Sequence, residues 1–109
     1  MALKITSTIG YKKRNEIGST SESYIVIDKT EANKAGDIKI LISAFKNKAE
    51  RDLSYEENQC EVQIPYVYQI LSNGTPLDYE MSLEDYFAIL YAFIKAKLES
   101  LGLTVENIV

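Results

Sequence analysis

Residues 82–102 constrain this chain more than any other stretch, because they specify a helix at both ends and along its whole length. Ser82 is an N-cap residue, Glu84 and Asp85 fall in the first turn, and Asp85 takes the reciprocal capping-box position. Gly102 stops the helix, with Lys95 and Lys97 near the end where the helix dipole favours cations. Leu83, Phe87, Leu90, Ile94, Leu98 and Leu101 recur at intervals of three and four and so share one face. Such a face has to be laid on a sheet or another helix. A second stripe, Tyr86, Ile89 and Phe93, widens the apolar arc to roughly 220° at about 100° per residue. Sealing one core needs less than that, so the excess predicts a second covering surface, either a partner subunit or a long loop of the same chain.

Upstream the period is that of strands. Leu3, Ile5, Ser7, Ile9 and Tyr11 alternate with Lys4, Thr6 and Thr8, which predicts a first strand with one buried face. Residues 12–23 are polar and small, and read as a long connection that is either disordered or used. Residues 24–28 are nearly all apolar, as in a central strand. Residues 30–36 read as a loop closed by Ala35 and Gly36. A third strand is expected over 37–46, with Ile38, Ile40, Ile42 and Ala44 on one face and Lys39, Leu41, Ser43 and Phe45 on the other. Residues 47–58 form a second charged connection with Leu53 and Tyr55 as anchors. The longest strand is expected over 59–71, with Cys60, Val62, Ile64, Tyr66, Tyr68 and Ile70 on one face. Pro65 places that strand at an edge or bends it, and a helix from Pro65 to Asn73-Gly74 is the competing reading. Asn73-Gly74 makes a tight turn, residues 76–81 an extended lead, and the apolar tail at 103–109 docks on the sheet or on a neighbour.

At 109 residues, 46% hydrophobic and 26% charged, the chain suits one α+β domain. The expected architecture is a four- to five-stranded antiparallel sheet or small sandwich packed by one long C-terminal helix, with two long loops, 12–23 and 47–58. Residues 1–9 lack the pattern of a signal peptide, and no run approaches the roughly 20 apolar residues that span a bilayer. Synthesis in the cytoplasm is expected, with a place in an assembly built there; the single Cys60 fits a reducing compartment.

Chemistry is sparse. The sequence has no histidine, so the usual general base and commonest metal ligand are missing, and Cys60 has no imidazole to activate it. There is no phosphate loop, zinc spacing or nucleophile elbow. Asp78, Glu80, Glu84 and Asp85 cluster, but their spacing matches no Ca²⁺ loop and capping explains the helical pair. No enzyme, cofactor, metal or small-molecule substrate is expected. Lys12, Lys13 and Arg14 could meet phosphates, with Tyr11 or Tyr24 stacking on a base, but one basic triplet in a chain of net charge −4 does not predict nucleic-acid binding.

Protein contact fits better. Residues 1–54 hold 10 Lys and Arg against 7 Asp and Glu, a net of +3, and residues 55–109 hold 2 against 9, a net of −7. If the halves occupy different ends of the fold, opposite patches favour head-to-tail contact between copies. Eight tyrosines against three phenylalanines supply large apolar area with a polar tip, suited to surfaces wet in one state and buried in another. Tyr66 and Tyr68 read as core; Tyr11, Tyr55 and Tyr79 read as interface residues. The layout of a small acidic domain with an extended loop between its first strands, a late helix and no catalytic kit resembles the small virion proteins of tailed phages that form neck rings between portal and tail, or the tail tube. The resemblance is one of layout and carries over no residue. It implies a structural protein in a homo-oligomeric ring or tube, in contact with itself and neighbouring assembly proteins. The basic residues Lys12, Lys13 and Arg14, with Tyr11, would then meet the next copy at Asp78, Tyr79, Glu80 and Asp85, with Tyr86, Ile89 and Phe93 as further contact. The alternative is a monomeric adaptor or inhibitor that grips another protein.

Overall fold

The computed structural model describes residues 2–33, 37–53, 59–70 and 82–108. Tyr55, the 34–36 end of the expected loop, the Asn73-Gly74 turn, the 76–81 lead and, with it, Asp78, Tyr79 and Glu80 lie outside the described residues.

The fold is α+β. Its strands are β1 (Ala2–Ile5), β2 (Ile9–Lys13), β3 (Glu16–Thr20), β4 (Ser23–Ala32), β5 (Ile38–Phe45), β6 (Glu61–Val62), β7 (Val67–Ile70) and β8 (Val105–Ile108); its helices are α1 (Lys48–Leu53) and α2 (Leu83–Ser100). The strands form a five-stranded antiparallel sheet in the order β7-β5-β4-β1-β8 and a three-stranded sheet in the order β3-β2-β6. As the apolar run at 24–28 predicts, β4 is central, though it extends to Ala32 and pairs with β5 in a hairpin where residues 30–36 read as loop. Asp28 is extra in that pairing, a bulge between Ile27 and Lys29.

α2 forms where its signals place it. Ser82 Oγ accepts from the Asp85 N–H, and Gly102 follows the C-cap with φ of 87°, a left-handed conformation that costs glycine nothing. Leu90, Tyr91, Ile94 and Leu98 are buried on the sheet with Leu3, Ile5, Ile25, Ile38 and Ile40. Each such aliphatic side chain contributes about 1.5–3 kcal/mol by leaving water. Leu83 and Leu101, at the two ends of the same stripe, overhang the sheet and are exposed.

Three expectations are corrected. The first strand is two: β1 and β2 lie in different sheets, and the break falls at Thr6, Ser7 and Thr8. There the Thr6 N–H donates to Thr104 O, and Ser7 Oγ accepts from the Thr104 N–H. The alternation survives the bend because Ile5, Ile9 and Tyr11 all stay inward. The connection at 12–23 is largely β3, which closes a hairpin on β2 through Arg14 and Asn15. The long strand at 59–71 is an excursion. Gln59 bridges Phe45 and the Cys60 N–H donates to Ala44 O, holding the chain on β5; it leaves to pair with β2 as β6, then returns where the Ile42 N–H donates to Tyr66 O. Pro65 lies in the gap between β6 and β7, where no ladder donor is required.

The second face of the large sheet is not bare. Ala2, Val26 and Phe45 are buried there with Tyr24 and Ile108 beside them, and α1 covers them from the 47–58 connection. Asn47 caps α1, its Oδ1 accepting from the Glu50 N–H at 2.9 Å. Arg51 lies over the Phe45 ring at 5.9 Å. Leu53, expected as an anchor, is exposed. The tail docks on the chain's own sheet as β8, antiparallel to β1. No helix among the described residues is long and apolar enough to cross a membrane.

Candidate interaction surface

The β2–β3 hairpin carries the basic triplet, and its build decides what those cations can reach. Tyr11 stands opposite Gly18, and a Cβ added at Gly18 would lie 3.2 Å from the Tyr11 ring. The glycine is therefore where the ring packs. The Tyr11 hydroxyl donates to the Glu16 carboxylate, which Lys46 Nζ also reaches at 3.1 Å while lying 5.3 Å from the Tyr11 ring centre. The hydrogen bond from Tyr11, then the one from Lys46 and its charge, hold the Glu16 carboxyl below its usual range. Thr20 Oγ1 donates to Lys46 O at 2.9 Å, tying the far end of the hairpin to the end of β5. Lys13 Nζ pairs with Glu50 at 2.5 Å.

The triplet is thus divided. Lys13 is spent on α1, whereas Lys12 and Arg14 are exposed and form no ion pair among the described residues. Arg14 sits at the turn with φ of 48°. Tyr11, expected at an interface, is buried at 6% exposure and presents almost nothing to a partner. Lys12, Lys13 and Arg14 border an open crevice of about 480 Å³ against Ser43, Cys60 and Tyr66. Glu61 stands opposite Lys12 across the ladder, and Glu50 neutralises Lys13, so the crevice is close to charge-balanced.

Of the other candidates, Asp85 is exposed in the first turn of α2, with its N–H held by Ser82. Tyr86 and Phe93 are half-buried and packed against the main core; Tyr86 meets Phe87 edge-on at 5.6 Å, and Lys97 lies 5.4 Å from the Phe93 ring. Ile89 is exposed at 42%. Tyr66, expected in the core, is exposed at 38%, with its hydroxyl accepting from the Val62 N–H; Tyr68 is buried as expected.

Burial pushes the Cys60 thiol up to about 11, the opposite of what a nucleophile needs. Among the described residues no group of three or more acidic or thiol side chains is placed to hold a metal ion.

Sequence reasoning missed Ile17. It is exposed at 79% on β3, the outer strand of the small sheet, and four of the five β3 residues are exposed. A weak signal exists: Ile9 and Tyr11 before, and Ile17 after, flank a short polar stretch that includes Asn15, a turn former. The run Gly18, Ser19, Thr20 and Ser21 reads as loop and hides it. Also missed was a groove of about 310 Å³ on the second face of the large sheet, bordered by Lys4, Tyr24, Lys48, Ala49 and Ile108. Compared with protein-family models, curated proteins and solved structures, the chain matches none.

Proposed function

We propose that this chain is a non-enzymatic assembly protein whose copies associate head to tail into a ring or tube, in the manner of the phage neck and tail proteins its layout resembles. The observation that supports the reading best is the hairpin: a braced β2–β3 pair that carries a bare isoleucine on its outer strand and two exposed cations, Lys12 on β2 and Arg14 at the turn, that form no ion pair among the described residues. Residues held in place at no gain to the monomer are what an interface requires. The acidic partner for Lys12 and Arg14 is the region of the next copy that includes Asp78, Glu80, Glu84 and Asp85.

The test is charge reversal at Lys12 and Arg14 together, leaving Lys13 to its pair with Glu50. The Lys12→Glu, Arg14→Glu variant should keep the wild-type circular dichroism spectrum yet lose assembly, and wild-type assembly should weaken as salt rises. Assembly unchanged by both would remove the charged contact.

A second reading, a monomeric adaptor, has its own support in Leu83, Ile89 and Leu101, which leave apolar area on α2 open to a different protein. A stoichiometric complex with one partner, formed by a chain that never self-associates, would select it.

A further inference from the structure

α2 is apolar on more faces than the sheet covers. From Tyr86 to Ile94 it carries no charged residue and, its two tyrosines apart, no polar one. Leu90, Tyr91 and Ile94 in that run are buried, yet Ile89 is exposed at 42% and Ala92 is exposed. A helix that serves one core keeps charge on its outward face, whereas one apolar all round is covered all round. At about 100° per residue Asp85, Ile89, Ala92 and Ala96, all exposed, form a ridge pointing away from the buried Leu90, Ile94 and Leu98. Tyr86 and Phe93 are half-buried along one side of that ridge.

The order of charges along the helix selects the occupant. Glu84 and Asp85 precede the apolar run, and Lys95 and Lys97 follow it. A matching surface presents cations opposite the start of α2, an apolar stretch opposite its middle and anions opposite its end. α2 of a second copy does this when laid antiparallel about a two-fold axis. Laid parallel, it would set acid on acid and base on base. A two-fold between Ile89 and Ala92 puts Ile89 of each copy against Ala92 of the other, a large side chain against a small one. In that register Asp85 lies beside Lys95 of the other copy, twice over by symmetry, and Tyr86 lies beside Phe93. Within its own chain Lys95 reaches Glu99 only at 4.0 Å, the outer limit of an ion pair. Glu99 falls beside Ser82 of the other copy, where a helix N-terminus favours an anion.

We propose that α2 is the interface of a two-fold homodimer in which the helices of two copies pack antiparallel, centred between Ile89 and Ala92. The contact goes beyond the head-to-tail one and uses none of Lys12, Arg14 and Ile17. It takes Asp85 and leaves Glu84, about 100° round the helix, to the head-to-tail contact. Being isologous, it closes on two copies and joins head-to-tail assemblies in pairs.

The test is made by sedimentation equilibrium, across concentration, on the full chain carrying Lys12→Glu and Arg14→Glu, which removes the head-to-tail contact and spares α2. That chain should be a dimer. Asp85→Lys or Lys95→Asp, added to it, sets like charges together at both symmetric sites and should weaken dimerisation about tenfold. An equal mixture of the two variants should recover it, because in the mixed dimer each lysine meets an aspartate. Ala92→Glu, at an exposed position, should abolish the dimer with the circular dichroism spectrum unchanged. A monomer at every concentration would overturn the proposal and leave the face to a different protein, with the head-to-tail reading judged separately on the wild type. A dimer indifferent to Ala92→Glu and to both reversals would overturn it too, placing the contact elsewhere.

Discussion

Tyr91 and Tyr68 both sit in the main core, yet only the Tyr91 hydroxyl has a partner among the described residues, accepting from the Ile27 N–H at 2.9 Å. Ile27 is where the β4 bulge begins, so Tyr91 satisfies a donor beside the point where the ladder slips. Tyr91→Phe should therefore cost about 1–3 kcal/mol in denaturant unfolding, the cost of an orphaned amide. Tyr68→Phe should be neutral or slightly stabilising at pH 7, because its hydroxyl loses nothing. Burial pushes the Tyr68 hydroxyl from 10.0 up to about 12, so the folded state holds that proton more tightly than the unfolded chain. This contribution is intact below pH 10 and is lost as the pH rises through about 12. Unfolding midpoints should fall over that window, and Tyr68→Phe should flatten the fall. The glycines of the hairpin separate likewise. Gly18→Ala presses on a Tyr11 ring pinned by Glu16 and should cost about 1 kcal/mol, whereas Gly10→Ala meets only the exposed Gln63 side chain, which can move aside. Burial of Tyr68 was legible from alternation. The burial of Tyr91 follows likewise from its spacing to Phe87, Ile94 and Leu98, but its role does not, since it depends on a bulge no local pattern announces.

Among elements, α2, β4 and β5 were legible because each carries a period and bounding residues of its own. The errors share one cause: alternation reports which side of the backbone faces the core and not which sheet the backbone joins. Ile5 and Ile9, or Val62 and Tyr68, keep one parity across a change of sheet, so a continuous pattern concealed the bends at Ser7 and Pro65. β3 and α1 read as loops because neither buries an apolar face: α1 has no buried residue, and β3 buries only Thr20. α1 exists through its cap and its contacts with Phe45, under Arg51, and with Lys13, paired to Glu50. Asn47→Ala should then cost about 0.5–2 kcal/mol, with local hydrogen exchange rising in residues 48–53 before global unfolding. Unchanged protection there would show that packing on the sheet, without the cap, suffices.

For the whole molecule, the charge contrast between the sequence halves does not sort the described residues into two charged ends. The halves are interleaved by β1 with β8, β5 with β7 and β2 with β6, and Lys13 and Lys46 near the hairpin are answered locally by Glu50 and Glu16. What remains exposed for contact among the described residues of the hairpin is specific: Lys12, Arg14 and Ile17. The candidate surface was only partly legible in the sequence, which marks the cations but hides the isoleucine, since its place arises only when β3 folds back on β2. Self-association is read from the solution mass of the full chain by light scattering, across concentration at low salt. A mass that climbs above one chain to a closed multiple or a growing polymer, and falls on adding salt, is the expected result. A mass of one chain at every concentration and salt would contradict the assembly reading.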